Sequence, residues 1–457
     1  MKNPEKPPNW NEILHNAGKH LDLPNILQNT EVSRIIKESQ MKYLYWEELK
    51  HYFQNPPFDH KSIWAIIKLF RSQQYKTIKI GDLEFNYYLT ELAQEKLHFA
   101  DSHAGQIIGT ESPLEKFQSG ERKRYLINSL MEEAIASSQL EGAMTTRKVA
   151  KEMLRTKRKP KNKNEKMIYN NYQTMQYLKE FFESPSTNNK GMTIELILSV
   201  HKHISRGTLN NPEAEGKFRT NDDIIVGDDT GEIMHVPPSF TKVPGLVEDL
   251  CKFANDAESP FIHPLVKAII IHFLIGYIHP FEDGNGRTAR ALFYWYCIKS
   301  GYWTFEYLPI SRIIKKAPSK YGRAYLYTEY DDLDMNYFIH FNLSAIKQAI
   351  GELDTYLKQK QKEKNEAMQL MAKASRGINL RQSLILKEIL EEPEKILTIQ
   401  ETQSKYNVTY QTARTDLISL AKKGYLASKK KRKQFLFFKS DKFDEKIKST
   451  NGTTNNY

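Results

Sequence analysis

The chain is 457 residues long, 40% hydrophobic and 27% charged, which excludes a disordered polymer and leaves room for two or three domains with cores of their own. Its 67 Lys and Arg outnumber 55 Asp and Glu, for a net charge of +12, and residues 371 to 450 alone hold 18 basic against 9 acidic side chains, a surplus of nine. Charge confined in this way predicts an anionic partner, most often nucleic acid, for that end of the chain only.

The opening MKNPEKPPNWNE lacks the apolar stretch of a secretory signal. From Val32 to Phe70 apolar residues recur every three or four positions (Ile35, Ile36, Leu49, Ile63, Ile66, Ile67), which predicts amphipathic helices. Short strands are expected at Thr77 to Ile80 and Leu83 to Tyr87, then a helical block from Pro113 to Leu140. The basic stretch Arg147 to Lys166, with Pro160 and few aromatics, reads as a solvated turn between helices. Helical patterns resume at Met167 to Phe182, Thr193 to His203, Leu246 to Asp256, Pro264 to Ile278, Thr288 to Ser300 and Met335 to Gln361. Between His203 and Leu246 a Gly- and Asp-rich connector holds two β-like pieces, Asp223 to Val226 and Glu232 to Val236. The apolar run up to Ile278 is interrupted by Lys267 and His272 and falls short of the roughly 20 residues of a membrane span, so it reads as a buried helix. Cys251 and Cys297, the only cysteines, lie among apolar neighbours, which excludes a disulfide framework or CxxC metal site and points to a reducing, cytoplasmic setting.

The segment from His279 to Arg290, HPFEDGNGRTAR, carries the chemistry. Pro280 cannot continue the preceding helix, and Gly284-Asn285-Gly286 lets the backbone approach an anion with its N–H groups turned inward. A turn of this kind that feeds a helix N-terminus is an anion hole. Arg287 and Arg290, three residues apart, share a helix face and are placed to reach one polyphosphate. Asp283 suits Mg²⁺ held against phosphate oxygens, and His279 is the residue fit to take a proton from a hydroxyl at neutral pH. Gly284-x-Gly286-x-x-Ala289 formally fits a dinucleotide fingerprint, but Pro280 to Asp283 stand where a strand should enter the first glycine. No Walker A loop occurs.

The segment resembles the signature of the Fic proteins, H-x-F-x-[D/E]-G-N-G-R-x-x-R, at all eight specified positions: His279, Phe281, Asp283, Gly284, Asn285, Gly286, Arg287 and Arg290. Gly216-Lys-Phe-Arg219, His235-Val-Pro-Pro238 and the stretch through Asp332 are consistent with it, so the likeness covers roughly residues 125 to 350. The resemblance implies transfer of AMP from ATP, with Mg²⁺ or Mn²⁺, to a Ser, Thr or Tyr hydroxyl of a protein. On that reading His279 is the general base and Asp283 holds the metal. Gly284, Asn285 and Gly286 hold the α-phosphate, Arg287 binds the outer phosphates, and Phe281 is a core anchor. His235, Val236 and Pro237 belong to the flap that holds the target segment by strand addition. Upstream, Ser137-x-x-x-Glu141-Gly142 resembles the family's inhibitory pattern, in which the glutamate pairs with the second arginine, here Arg290. Its position before the signature resembles the second inhibition class of the family, some members of which also remove AMP.

Beyond the polar helical linker, Leu384 to Leu390, Leu397 to Tyr406 and Thr409 to Lys423 read as three helices. The last resembles the recognition helix of winged helix-turn-helix repressors, with Tyr410, Gln411, Arg414 and Thr415 toward the major groove and Lys430 and Lys431 of the wing on phosphates. The expected fold is mainly α: a Fic-type helical core with a small β-hairpin flap, a helical N-terminal extension and a C-terminal winged helix. The expected divisions are a helical domain (1–112), a Fic catalytic domain (113–357), a helical linker (358–378), a winged helix (379–445) and a disordered tail (446–457). The partners expected are a protein bearing a hydroxyl side chain, the chain itself as substrate, duplex DNA, and a second copy as a homodimer, with no membrane. The competing reading is a DNA-binding regulator whose core is an inhibited nucleotide sensor.

Overall fold

A computed structural model describes residues 3–17, 23–104, 119–183, 191–227, 231–256, 260–373, 377–431 and 434–448. Among these, helices dominate and the strands form three small sheets. The chain divides into two compact units, Met1–Gly351 and Glu352–Tyr457, with the division inside the long helix Asn336–Lys373. No described helix is long and apolar enough to cross a membrane.

The first unit is built on two helices, Pro264–Ile278 and Asn285–Lys299, packed along each other. Pro264 opens the first at the position where a missing N–H costs nothing, and the His263 side chain accepts from Leu265 N. Every residue from Leu265 to Ile275 is buried, Lys267 and His272 included, so this helix is enclosed all round, as expected of one at the centre of a core. Around the pair lie Ser119–Leu140, Lys163–Glu183, Ile194–Ser205 and Val243–Asn255. The two-stranded pieces are Lys76–Ile80 with Leu83–Tyr87, joined through Gly81 at φ +59°, and Val226–Gly227 with Ile233–His235. Helices Thr30–Lys42, Trp46–Tyr52 and His60–Ser72 form an aromatic layer in which Tyr45 stacks on Tyr327 at 3.8 Å.

The basic stretch at 147–166 departs from the expected turn. Arg147–Thr156 is a helix, capped by Thr146, whose side chain accepts from Val149 N. Ala150, Met153 and Leu154, at helical spacing, are buried, and the surrounding charges mask that narrow stripe. Helices Trp10–Ala17, Leu23–Gln28, Glu91–Ala104, Ile310–Lys316 and Pro318–Tyr330 are further elements that the apolar pattern does not announce. The expected start of the 113–140 block lies partly outside the described residues, and the helix there is Ser119–Leu140.

In the second unit, helices Leu380–Glu391, Ile399–Tyr406 and Tyr410–Lys422 pack on an antiparallel sheet of order Leu397–Thr398, Gln434–Lys439, Leu426–Lys431. Leu397 and Thr398, expected in a helix, form the first strand. Thr398 then caps the helix, exchanging hydrogen bonds with Glu401. Asn407, at φ +47°, turns the chain between the second and third helices. Ile385, Ile389, Ala413, Leu417, Leu420, Tyr425 and Phe437 are among its core residues. Residues 446–448, expected in a disordered tail, end a short helix, Phe443–Lys448, and the rest of that tail lies outside the described residues.

Candidate active site

Helix 264–278 stops at His279, which takes the left-handed conformation at φ +49° while its N–H still bonds to Ile275 O at 3.1 Å. The chain crosses Pro280 to Asp283, and Gly284, at φ +88°, turns it into helix 285–299. A side chain here would be strained, so the glycine is set by the turn. Three side chains brace the loop. The Asn285 carboxamide accepts from Phe281 N at 2.9 Å and donates to Phe281 O at 2.8 Å. Thr288 Oγ1 donates to Gly284 O at 2.9 Å. The His201 ring stacks on Phe281 at 3.7 Å, its Nε2 donates to Asp283 O at 2.9 Å, and its Nδ1 accepts from Gly216 N.

His279 Nδ1 lies 3.1 Å from Gly276 O. A carbonyl only accepts, so Nδ1 carries the proton and Nε2 keeps its lone pair. Burial pulls the His279 pKa down to about 4, against the Gly276 bond, and the charges of His235 and Arg219 add to the fall. The ring is therefore neutral at pH 7 and competent to accept a proton.

The two arginines are buried in separate settings. Arg287 is fully buried, donates to Asp283 Oδ1 at 3.3 Å, and has a buried Nε with no hydrogen-bond partner among the described residues. Arg290 Nε donates to Ser137 Oγ at 2.8 Å, and its Nη2 donates to Ser137 O and to Glu141 Oε1, each at 2.9 Å. Burial opposes the Arg290 charge, but Glu141, Tyr321 and Glu133 together outweigh it, so the Arg290 pKa is raised. The carboxylate sits directly on the helix N-terminus: a Cβ added at Gly286 would lie 2.2 Å from Glu141 Oε1.

The residues expected of the loop thus converge, with two differences in their use. Asn285, expected among the phosphate-holding groups, spends both ends of its carboxamide on Phe281. His235, expected on a target-facing flap, is buried, its Nδ1 2.7 Å from Glu329 Oε2 and its Nε2 2.7 Å from Tyr277 O. Pro237 is buried too, so of that trio only Val236, 68% exposed, faces outward, near exposed Ile225 and Ile233. Sequence reasoning assigns no role to His201 or Arg219. His201 sits at core spacing in a helix, and Arg219 stands out only as part of Gly216-Lys-Phe-Arg219. Among the described residues no group of three or more His, Cys, Asp or Glu is gathered to hold a metal, and Asp283 is the carboxylate at the mouth, its side chain 45% exposed.

A turn with paired glycines, a neutral histidine and two buried arginines thus comes together between two helices. Residues 191–297 match the Fic/DOC family, and the chain carries a Fic domain. Proteins named Protein adenylyltransferase Fic from Drosophila melanogaster and Drosophila sechellia are each 32% identical to it over 130 residues, 28% of this chain and 23% of theirs. The chain therefore spans about a quarter of the length of these relatives. A solved Fic family protein from Desulfovibrio desulfuricans G20 superposes with a TM-score of 0.50 at 17% identity, covering 78% of this chain and 98% of that one, and shares its fold.

Proposed function

We propose that the protein transfers AMP from ATP to a Ser, Thr or Tyr hydroxyl of a protein and that Glu141 holds this activity in check. The observation that carries the reading is the neutral His279 Nε2 beside a helix N-terminus whose arginine is paired with Glu141. In the transfer, the hydroxyl oxygen bonds to the α-phosphorus, the bond from that phosphorus to the bridging oxygen breaks, pyrophosphate leaves, and the hydroxyl proton passes to His279 Nε2. The residues present fit the nucleotide: the unpartnered Arg287 Nε and the backbone at Gly284 and Gly286 suit phosphate oxygens. They also fit Mg²⁺ or Mn²⁺, since one exposed carboxylate, Asp283, plus substrate oxygens is a set Mg²⁺ accepts. A bound cation would supply neutralisation of phosphate charge. Glu141 on Arg290 competes with the outermost phosphate for the same guanidinium, which is the basis of the inhibition. Incubating the wild-type and Glu141→Gly proteins with α-labelled ATP tests the reading: label on protein in the variant and little in the wild type supports it, and no label in either overturns it.

The second unit suits a winged helix, read over 379–445, that contacts duplex DNA. Tyr410 is 49% exposed at the start of its helix, Gln411 is exposed, and Lys429 and Lys430 are exposed on strand 426–431. Arg414 lies half-buried on the same helix. Together these favour a phosphate-lined groove contact.

A further inference from the structure

Arg219 joins the loop of His279 to the base of the flap. It is almost fully buried, and its own N–H donates to Pro280 O at 2.9 Å. Its guanidinium divides between two sides. Nε donates to His279 O at 3.0 Å, Nη2 donates to Pro238 O just past the flap strand, and Nη1 donates to Asn221 O at 2.9 Å and Asp222 Oδ1 at 2.8 Å. Asp222 extends the grip, accepting from Phe240 N at 2.6 Å and from Ser239 Oγ at 2.8 Å. The planar fork of an arginine holds such partners at fixed separations, which a lysine ammonium on a flexible stem cannot do.

We infer that Arg219, backed by Asp222, is a positioning pair that sets the distance between a target strand lying on the flap and Nε2 of His279. The inference rests on the AMP-transfer reading above. Neither residue touches the reacting atoms, and both act through the backbone carbonyls and amides they hold. The flap strand itself is anchored at His235, on Glu329 and the Tyr277 carbonyl, but 233–235 pairs with only two residues of strand 226–227, across an irregular register, and the chain beyond Pro237 is held by the Arg219–Asp222 contacts. The cinch at 238–240 ties the C-terminal end of the strand to the loop of the histidine. A displacement of about 1 Å in a reacting group costs on the order of 100-fold in rate.

The prediction separates two acceptors of the same AMP. Water attacking the α-phosphorus gives AMP and pyrophosphate, uses the loop, and needs no flap register, whereas a protein hydroxyl needs both. In a Glu141→Gly background, Asp222→Ala, which leaves the Arg219 bond to His279 O in place, is expected to lower labelled protein about 10- to 100-fold at unchanged KM for ATP. Release of free AMP should stay within about threefold, so the product partition shifts toward water. Equal loss of both products, or no change in partition, overturns the inference. Hydrogen exchange provides a readout independent of transfer. Amides of Val236, Ser239 and Phe240 should exchange faster in Asp222→Ala while helix 264–278 keeps its protection, and unchanged exchange at the flap overturns the clamp. A Glu141→Gly parent that forms neither product sinks the AMP-transfer reading, and the exchange measurement still decides the clamp.

Discussion

Glu141 Oε1 and Arg290 Nη2 lie 2.9 Å apart on the N-terminus of the helix that follows the glycine turn, with Ser137 holding the same guanidinium through its hydroxyl and its carbonyl. A charge-assisted bond to a buried arginine is worth about 1.5–3 kcal/mol, so freeing Arg290 for a phosphate should raise activity by roughly 10- to 100-fold. Glu141→Gly is expected to increase AMP incorporation by that factor, and adding His279→Ala to remove it again, both read with labelled ATP and intact-protein mass spectrometry. A Glu141→Gly protein no more active than wild type would sink the inhibitory role.

Gly286 offers a second test of the same contact. Its missing Cβ leaves the space that the Glu141 carboxylate fills, and a methyl would also come within 3.1 Å of Arg290 Nη1. Gly286→Ala should therefore destabilise the wild type by about 1–3 kcal/mol through overpacking. It should cost less in the Glu141→Gly background, where the crowding oxygens are gone. Urea midpoints of the four proteins measure the coupling, and strict additivity would show that the carboxylate is not seated there.

The loop is readable in the sequence because each residue answers a local demand. Gly284 meets a positive φ, Pro280 ends a helix, and arginines three apart share a helix face. Its braces are not readable as braces, because His201 reaches Asp283 across 82 positions and Arg219 reaches His279 across 60; His201 carries no local signature, and Gly216-Lys-Phe-Arg219 does not say what its arginine holds. The same split runs through the fold. The strongly apolar helix 264–278 is legible from its sequence, whereas helix 91–104 buries Ala93, Leu97, Ala100 and Ala104, mostly small residues that make a weak periodic signal. At His235 the difficulty is of another kind. A polar residue in a β-like loop reads as exposed, and only tertiary partners, Glu329 and the Tyr277 carbonyl, explain its burial.

Four histidines of the first unit are held uncharged chiefly by burial: His279 and His201 at about 4, His340 at about 3, and His272 well below its ordinary value. Below pH 6.5 the unfolded chain takes up protons that these folded imidazoles refuse. Their contribution to stability is therefore full above pH 6.5 and is lost as pH falls toward 4, by up to about 1.4 kcal/mol per pH unit for each. Urea midpoints should drop steadily from pH 7 to pH 5. The acid limb of AMP transfer in Glu141→Gly should lie nearer pH 4 than pH 6.5, and a limb centred at 6.5 would show that His279 titrates as an exposed imidazole.

Lys68 is fully buried, 2.9 Å from Asp331 and 3.7 Å from Asp334. Asp334 also accepts from the hydroxyls of Tyr43 and Tyr75 at 2.6 Å, and Asp331 from Tyr337 at 2.7 Å. Removing the one ammonium strands two desolvated carboxylates, so Lys68→Met should cost about 3–5 kcal/mol. Lys68→Met with Asp331→Asn should cost less than the sum of the two single changes, because one of the stranded charges is removed with its partner. Additive losses in denaturant titration would mean that the groups do not form a unit.

In the second unit the core and the exposed face make separate demands. Leu417 is fully buried among Ile385, Ala413 and Phe437, whereas Gln411 and Lys430 lie outward. If the exposed groups meet DNA, affinity for a duplex should fall linearly with the logarithm of salt concentration. Lys429→Ala with Lys430→Ala should then reduce that slope by about two, one for each phosphate left without its lysine. Arg414→Ala, on the helix expected in the groove, should weaken binding to a preferred sequence by about 1–3 kcal/mol and random duplex less. Binding that is indifferent to salt, or a lysine pair whose removal leaves the slope unchanged, would assign this face to a protein partner instead, because only a polyanion releases counterions in proportion to the charges it meets.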